Sequence, residues 1–235
     1  IGTCLVGSEM CIRDRFYTFH EDGDVKVMLG THVDDLMYAC KPGYEHLLQP
    51  IFDTFEVKTF EEGSFRFCGR EIEQDDSCNI TVTCRDTAEK TLPINWRMNG
   101  RSLEAKATEG EISQLRSVVG SLAWIARPSR PGLSYRCSKL QSIAPSAQLK
   151  HLKEANKVLQ TAIAGAGDGC YYKAKAFNWN DAVIGTITDA SWAGEKAVVE
   201  DRVFPRKSQM GRVTIIADPK LWDGESCYFH VIGWK

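Results

Sequence analysis

Apolar and polar residues alternate along DVKVMLGTHVDDLMYAC, residues 24–40. Val25, Val27 and Leu29 interleave with Lys26, Met28 and Gly30. After a bend at Asp34 and Asp35, Leu36, Tyr38 and Cys40 interleave with Met37 and Ala39. A period of two predicts two adjacent strands. Residues 16–21 read as the tail of a strand entering this hairpin, with Asp22-Gly23 as its turn. Lys41-Pro42-Gly43 breaks the pattern, and Leu47, Leu48, Ile51, Phe52 and Phe55 then recur at helical spacing. That spacing predicts an amphipathic helix over 44–55, able to cover the back of the sheet. Phe65, Phe67 and Ile72 alternate with polar neighbours around Gly69, which predicts a second hairpin or a bent strand. Ile80 and Val82, set among threonines, predict a short strand over 79–85. A helical turn over 87–90 and a polar connector over 95–110 follow.

Beyond residue 110 the period becomes helical for about 50 residues. Ile112, Leu115, Val119, Leu122 and Ala126 mark one stripe, Leu133, Cys137, Leu140 and Ala144 a second, and Leu149, Leu152, Leu159 and Ile163 a third. Three helices are predicted. Residues 127–131 part the first two, and Pro145-Ser146 gives a break and an N-cap for the third. Residues 165–169 are glycine-rich and read as a flexible linker. An apolar strand over 182–188 ends in Asp189.

Composition changes this picture in one respect. The 235 residues, 43% hydrophobic and 26% charged, suit an ordinary soluble globular chain. The net charge of −2 is unevenly spread: residues 112–175 hold ten Lys or Arg against two acids, a local +8, leaving −10 elsewhere. One lobe is thus suited to a polyanion and another to cations. Nine cysteines without a C-x-x-C pair signal neither a zinc site nor a disulfide framework and fit a reducing compartment. No apolar run approaches the roughly 18 residues of a membrane span, and nothing points to secretion.

Candidate chemistry sits at two places. Adjacent carboxylates in mid-strand would point to opposite faces, whereas Asp34 and Asp35 at a tight bend can share a divalent cation. An Asp-Asp pair is also a common solvated turn. On the third helix Lys150, Lys153 and Lys157, at i, i+3 and i+7, line one edge where they could track phosphates, or form a solvated face.

The motifs resemble those of a family. THVDDLMYA resembles the YVDD hairpin of reverse transcriptases in copia-type LTR retrotransposon polyproteins, with His32 in place of the tyrosine. FEVKTFEEGSFRFCGREIEQ resembles that family's FEMKDLGELKYFLGIEIEQ. Residues 115–160, LRSVVGSLAWIARPSRPGLSYRCSKLQSIAPSAQLKHLKEANKVLQ, are similar to its YRSLVGSLLYL, RPDIAFAV and HLKALKRVLRYL in the same order. Asp189 followed by Ala-Ser-Trp-Ala-Gly resembles SDADWAG, the first strand of a ribonuclease H domain. Residues 207–216 resemble KSTSGYVFF, and residues 226–235 resemble the strand reading PISWKS.

The resemblance implies an α+β fold: a partial reverse transcriptase palm of antiparallel hairpins with a covering helix over 16–110, three thumb-like helices over 111–164, a linker over 165–180, and an incomplete ribonuclease H-like sheet over 181–235. It implies that Asp34 and Asp35 hold Mg2+ for two-metal nucleotidyl transfer, and that Asp189 holds Mg2+ for hydrolysis of the RNA strand of a hybrid. His32 would stand beside the primer terminus. Gly69 and Arg70 would form the primer grip, where the absence of a Cβ lets the backbone approach a phosphate. Lys150, Lys153 and Lys157 would bind nucleic acid. The implied partners are an RNA template, a DNA primer, their hybrid, deoxynucleoside triphosphates and the rest of the Pol polyprotein, in a cytoplasmic virus-like particle or the nucleus, without a membrane. The family's other palm aspartate would precede residue 1, and its later ribonuclease H carboxylates would follow Lys235. This chain alone is therefore expected to be inactive. The alternative is a non-catalytic nucleic-acid-binding relic or domesticated module that relies on the basic lobe.

Residues 4–15, CLVGSEMCIRDR, resemble the conceptual translation of a transposase-type sequencing-library adapter, and the chain opens on Ile1. Residues 1–15 are accordingly expected to be disordered, to pack on nothing, and to stand outside the fold.

Overall fold

The computed structural model describes residues 14–199 and 202–235. Contacts divide the chain into two units that meet in sequence at Gly69 and Arg70.

In the first unit, β1 (Asp14–Glu21), β2 (Asp24–His32) and β3 (Asp35–Cys40) form an antiparallel sheet in the order β1-β2-β3. The segment expected to be extraneous lies outside the described residues up to 13, while Asp14 and Arg15 pair with His32 and Thr31. Asp22 and Gly23 both take positive φ, 52° and 77°, as a two-residue hairpin turn requires. The second turn differs from expectation. His32 pairs with Asp35, so Val33 and Asp34 make the bend and Asp35 belongs to β3. Val33 adopts φ 56°, a costly conformation for a β-branched residue.

After Gly43 comes a 3-10 turn, Glu45–Leu47, and then α1 (Gln49–Thr54), shorter than the helix predicted over 44–55. Pro50 in its first turn sets the start. Leu48 is buried, and the Phe52 ring lies 6.0 Å from Tyr38. One helix of six residues covers only part of one sheet face, so Met28, Val33, Leu36 and Tyr38 stay exposed. The hairpin is thus open, with the helix expected to cover the back of the sheet reaching only part of it. β4 (Ser64–Phe67) closes the unit, followed by Cys68 and Gly69 at φ 50° and 70°.

The second unit is built on helices. The core gathers α2 (Arg85–Lys90), α3 (Glu109–Ala126), α4 (Ser134–Ile143) and α5 (Leu149–Ala164). Leu115, Val119, Leu122, Leu133, Cys137, Leu140, Leu149, Leu152 and Leu159 are all buried, as the stripes predict. Ile163 is 39% exposed instead, and Ala155, Val158 and Ala162 complete the α5 face. The connector over 95–110 is held as an edge: Ala107 N–H donates to Ala147 O, Leu149 N–H to Ala105 O, and Lys150 N–H to Leu103 O. The N-cap of α5 is Gln148, not Ser146. Ser146 falls in the 3-10 turn Ala144–Ser146, two residues too early.

β5 (Arg70–Gln74), β6 (Ile80–Thr83) and β7 (Cys170–Tyr172) pair antiparallel in that order. The stretch read as a linker is thereby built into the unit. Arg130 donates to the Gly165 carbonyl and pairs with Asp168, and a Cβ on Gly169 would collide with the Val82 carbonyl oxygen. These glycines serve close approach instead of mobility. Finally β8 (Val183–Val199), β9 (Arg202–Ala217) and β10 (Phe229–Trp234) form a sheet ordered β10-β9-β8. Trp234 ties it to the helices, its Nε1 donating to Ala126 O at 2.8 Å.

Candidate nucleic-acid interface

The hairpin of the first unit presents Asp34 in its turn and Asp35 at the start of β3, both exposed. His32 faces Asp35 in the ladder, and its ring stands edge-on to Phe67 with centroids 6.3 Å apart. Among the described residues no group of three His, Cys, Asp or Glu is placed to hold a metal ion. Two carboxylates offset only half of the +4 carried by two Mg2+ ions, so the residues present do not by themselves fit a two-metal centre. Gly69 sits in its tight turn at the end of this unit. Arg70 opens β5 in the other unit, and its Nε is buried.

Asp189 was expected at a strand end. It lies inside β8, opposite Gly211 and exposed, with the strand continuing to Val199. Backbone pairing fixes its place in the ladder, and among the described residues it belongs to no group of three His, Cys, Asp or Glu that could hold a metal ion.

The predicted basic edge of α5 is reduced by one member. Lys150 is bound at 2.6 Å to Glu104 of the connector, while Lys153 and Lys157 are exposed without an ion-pair partner among the described residues. Arg136 of α4 and Glu154 of α5 approach to 3.7 Å.

A second basic face, on α3, went unread in the sequence. Arg116, Gly120, Trp124 and Arg127 follow at i, i+4, i+8 and i+11 and are all exposed. Trp124 is 46% exposed although large and apolar. Nothing lies within 4 Å of where a Gly120 Cβ would be, so neither packing nor backbone conformation requires a glycine there. A mid-helix glycine costs roughly 0.5–1 kcal/mol against alanine. Neither arginine has an ion-pair partner among the described residues. An indole and two guanidinium groups flanking bare backbone form a surface on which a polyanion can come close. The signal available beforehand was the glycine itself, at an outward position of a strongly periodic helix.

A Saccharomyces cerevisiae protein whose name assigns it to the transposon Ty5-1 shares 24% identity with this chain over 156 residues, 60% of the chain and 50% of the relative. The chain is similar to a transposon protein. This likeness supports a retrotransposon-related origin, and the chain spans half the length of that relative. No family model matches. No solved structure matches either.

Beside that transposon likeness, the electrostatics divide by unit. Up to Gly69 the chain has six Lys or Arg against twelve Asp or Glu, a net −6, and the unit from Arg70 carries +4. On charge alone, the second unit is the one suited to a polyanion.

Proposed function

We propose that the chain is part of the reverse transcriptase and ribonuclease H portion of a copia-type retrotransposon polyprotein, and that its own contribution is to hold a nucleic-acid duplex on the helices of the second unit. The observation that carries this reading is the α3 face, where Arg116, Trp124 and Arg127 surround an exposed Gly120 that has no structural need to be glycine. The arginines neutralise phosphates, the indole lies flat against sugar edges, and the missing side chain lets the backbone approach. Lys153 and Lys157 extend the basic surface of the same unit. Affinity of this kind comes from phosphate contacts and carries little sequence preference.

In this reading Asp34 and Asp35 contribute to the Mg2+ site of the polymerase and Asp189 to that of the nuclease, with further carboxylates needed at each. No catalytic step is assigned to the chain alone. A second reading, a non-catalytic nucleic-acid-binding relic or domesticated module, rests on the basic stretch 112–175 alone.

The test is fluorescence anisotropy on a labelled RNA–DNA hybrid across a salt series. Arg116→Glu combined with Arg127→Glu should weaken binding and reduce the slope of log K against log [salt] by about 2, one unit per lost phosphate contact. An unchanged affinity and slope would show that duplex does not lie on α3.

A further inference from the structure

Two segments of the second unit, 170–180 and 226–235, are remote in sequence and pack together. The Tyr172 hydroxyl donates to Val231 O at 3.3 Å, and the buried His230 ring stands edge-on to Tyr172 at 5.4 Å and against Phe177 at 5.0 Å. Phe177 is itself buried and supports Trp179 in a T-shaped contact at 5.0 Å. Trp179 is nevertheless 66% exposed. The Lys173 ammonium lies 3.8 Å above the Tyr228 ring, which is 57% exposed. The two segments include Lys173, Lys175 and Lys235 and no Asp or Glu, in a chain whose net charge is −2.

One exposed large ring mounted on a buried phenyl ring, and another carrying an ammonium on its face, have the chemistry of a base-stacking surface, and Asp181, the carboxylate that follows the first segment, is held by Asn178 at 2.6 Å. A duplex buries the faces of its bases and can use the lysines but not the rings. A single strand can use both. We infer that Trp179 and Tyr228 form a stacking platform for single-stranded nucleic acid, with Lys173 and Lys175 serving its phosphates. Lys173, seated on one face of Tyr228, leaves the other face for a base. The inference rests on the reading of this chain as one that handles nucleic acid, but its residues are separate from the α3 face.

The experiment measures binding of the whole chain to labelled oligothymidine and to a blunt RNA–DNA hybrid. Trp179→Ala and Tyr228→Ala should each weaken oligothymidine binding about tenfold and leave hybrid binding unchanged, while Trp179→Phe should retain most single-strand affinity. Arg116→Glu with Arg127→Glu should show the opposite preference. Unchanged oligothymidine affinity in the alanine variants overturns the platform, as does an equal loss on both ligands or a wild-type chain that ignores oligothymidine. If single-strand binding behaves as stated and hybrid binding is absent, the platform stands and the duplex reading fails.

Discussion

Glu111 shows how much a single side chain can organise. It is buried at the start of α3, accepting from the Thr108 N–H at 2.8 Å and from both Arg101 nitrogens at 3.1 and 2.7 Å, while its own N–H donates to Thr108 Oγ1 at 3.3 Å. The Arg101 guanidinium holds its carboxyl down to about 2, with the Thr108 donors adding to the effect against burial. Folded-state ionisation is therefore easier than in the unfolded chain, near 4.5. The stability this group contributes is fully present above 4.5 and is lost as pH falls from there toward 2. Glu111→Gln should cost about 1–3 kcal/mol at neutral pH and should flatten the decline in stability between pH 4.5 and 2. Urea unfolding at a series of pH values measures both; an unaltered pH profile would exclude the role. Thr108 and Glu111 have the spacing of a capping box and so were legible in principle. Arg101 was not, because it lies in an irregular connector whose path depends on packing against the loop before α5. Asp34 and Asp35 were legible as a turn, yet a one-residue difference in register decides which of them is a strand residue.

Among the elements, α3 separates what folding wants from what binding wants. Gly120→Ala should raise stability by about 0.5–1 kcal/mol, since the new methyl meets open space and the helix gains rigidity. If duplex lies on this face, the same change should weaken hybrid binding. A variant both more stable and equally tight would show that Gly120 has no part in binding. The three long helices were legible because each buries one stripe against a common core, and a 3.6-residue period survives any detail of tertiary contact. The strand that holds Asp189 was legible only at its beginning. Its continuation to Val199 pairs with Arg202 onward in a hairpin, but the residues Ser-Trp-Ala-Gly-Glu-Lys of 191–196 lack the apolar alternation by which a strand is read from sequence. The glycines at 165 and 169 resemble a flexible linker by composition alone, whereas Gly169 is required by the approach of β7 to the Val82 carbonyl.

For the whole molecule, the division of charge sets the salt response. The −6 of the first unit repels the phosphates that the +4 unit attracts. Residues 70–235 alone should therefore bind hybrid more tightly than the full chain at low salt, with the gap closing near physiological ionic strength, where the Debye length is about 8 Å. Weaker binding by the shorter chain would place nucleic acid on the first unit as well. That first unit has a further property. Its sheet is ordered β1-β2-β3, so both outer strands are edges among the described residues, and Phe16, Tyr17, Leu36 and Tyr38 stand exposed on them. Open edges with apolar side chains are templates for strand addition. The net negative charge of this unit opposes the approach of two such edges. At high salt, where this repulsion is screened, the first unit should be where two chains pair edge to edge, a tendency that light scattering at rising ionic strength would report.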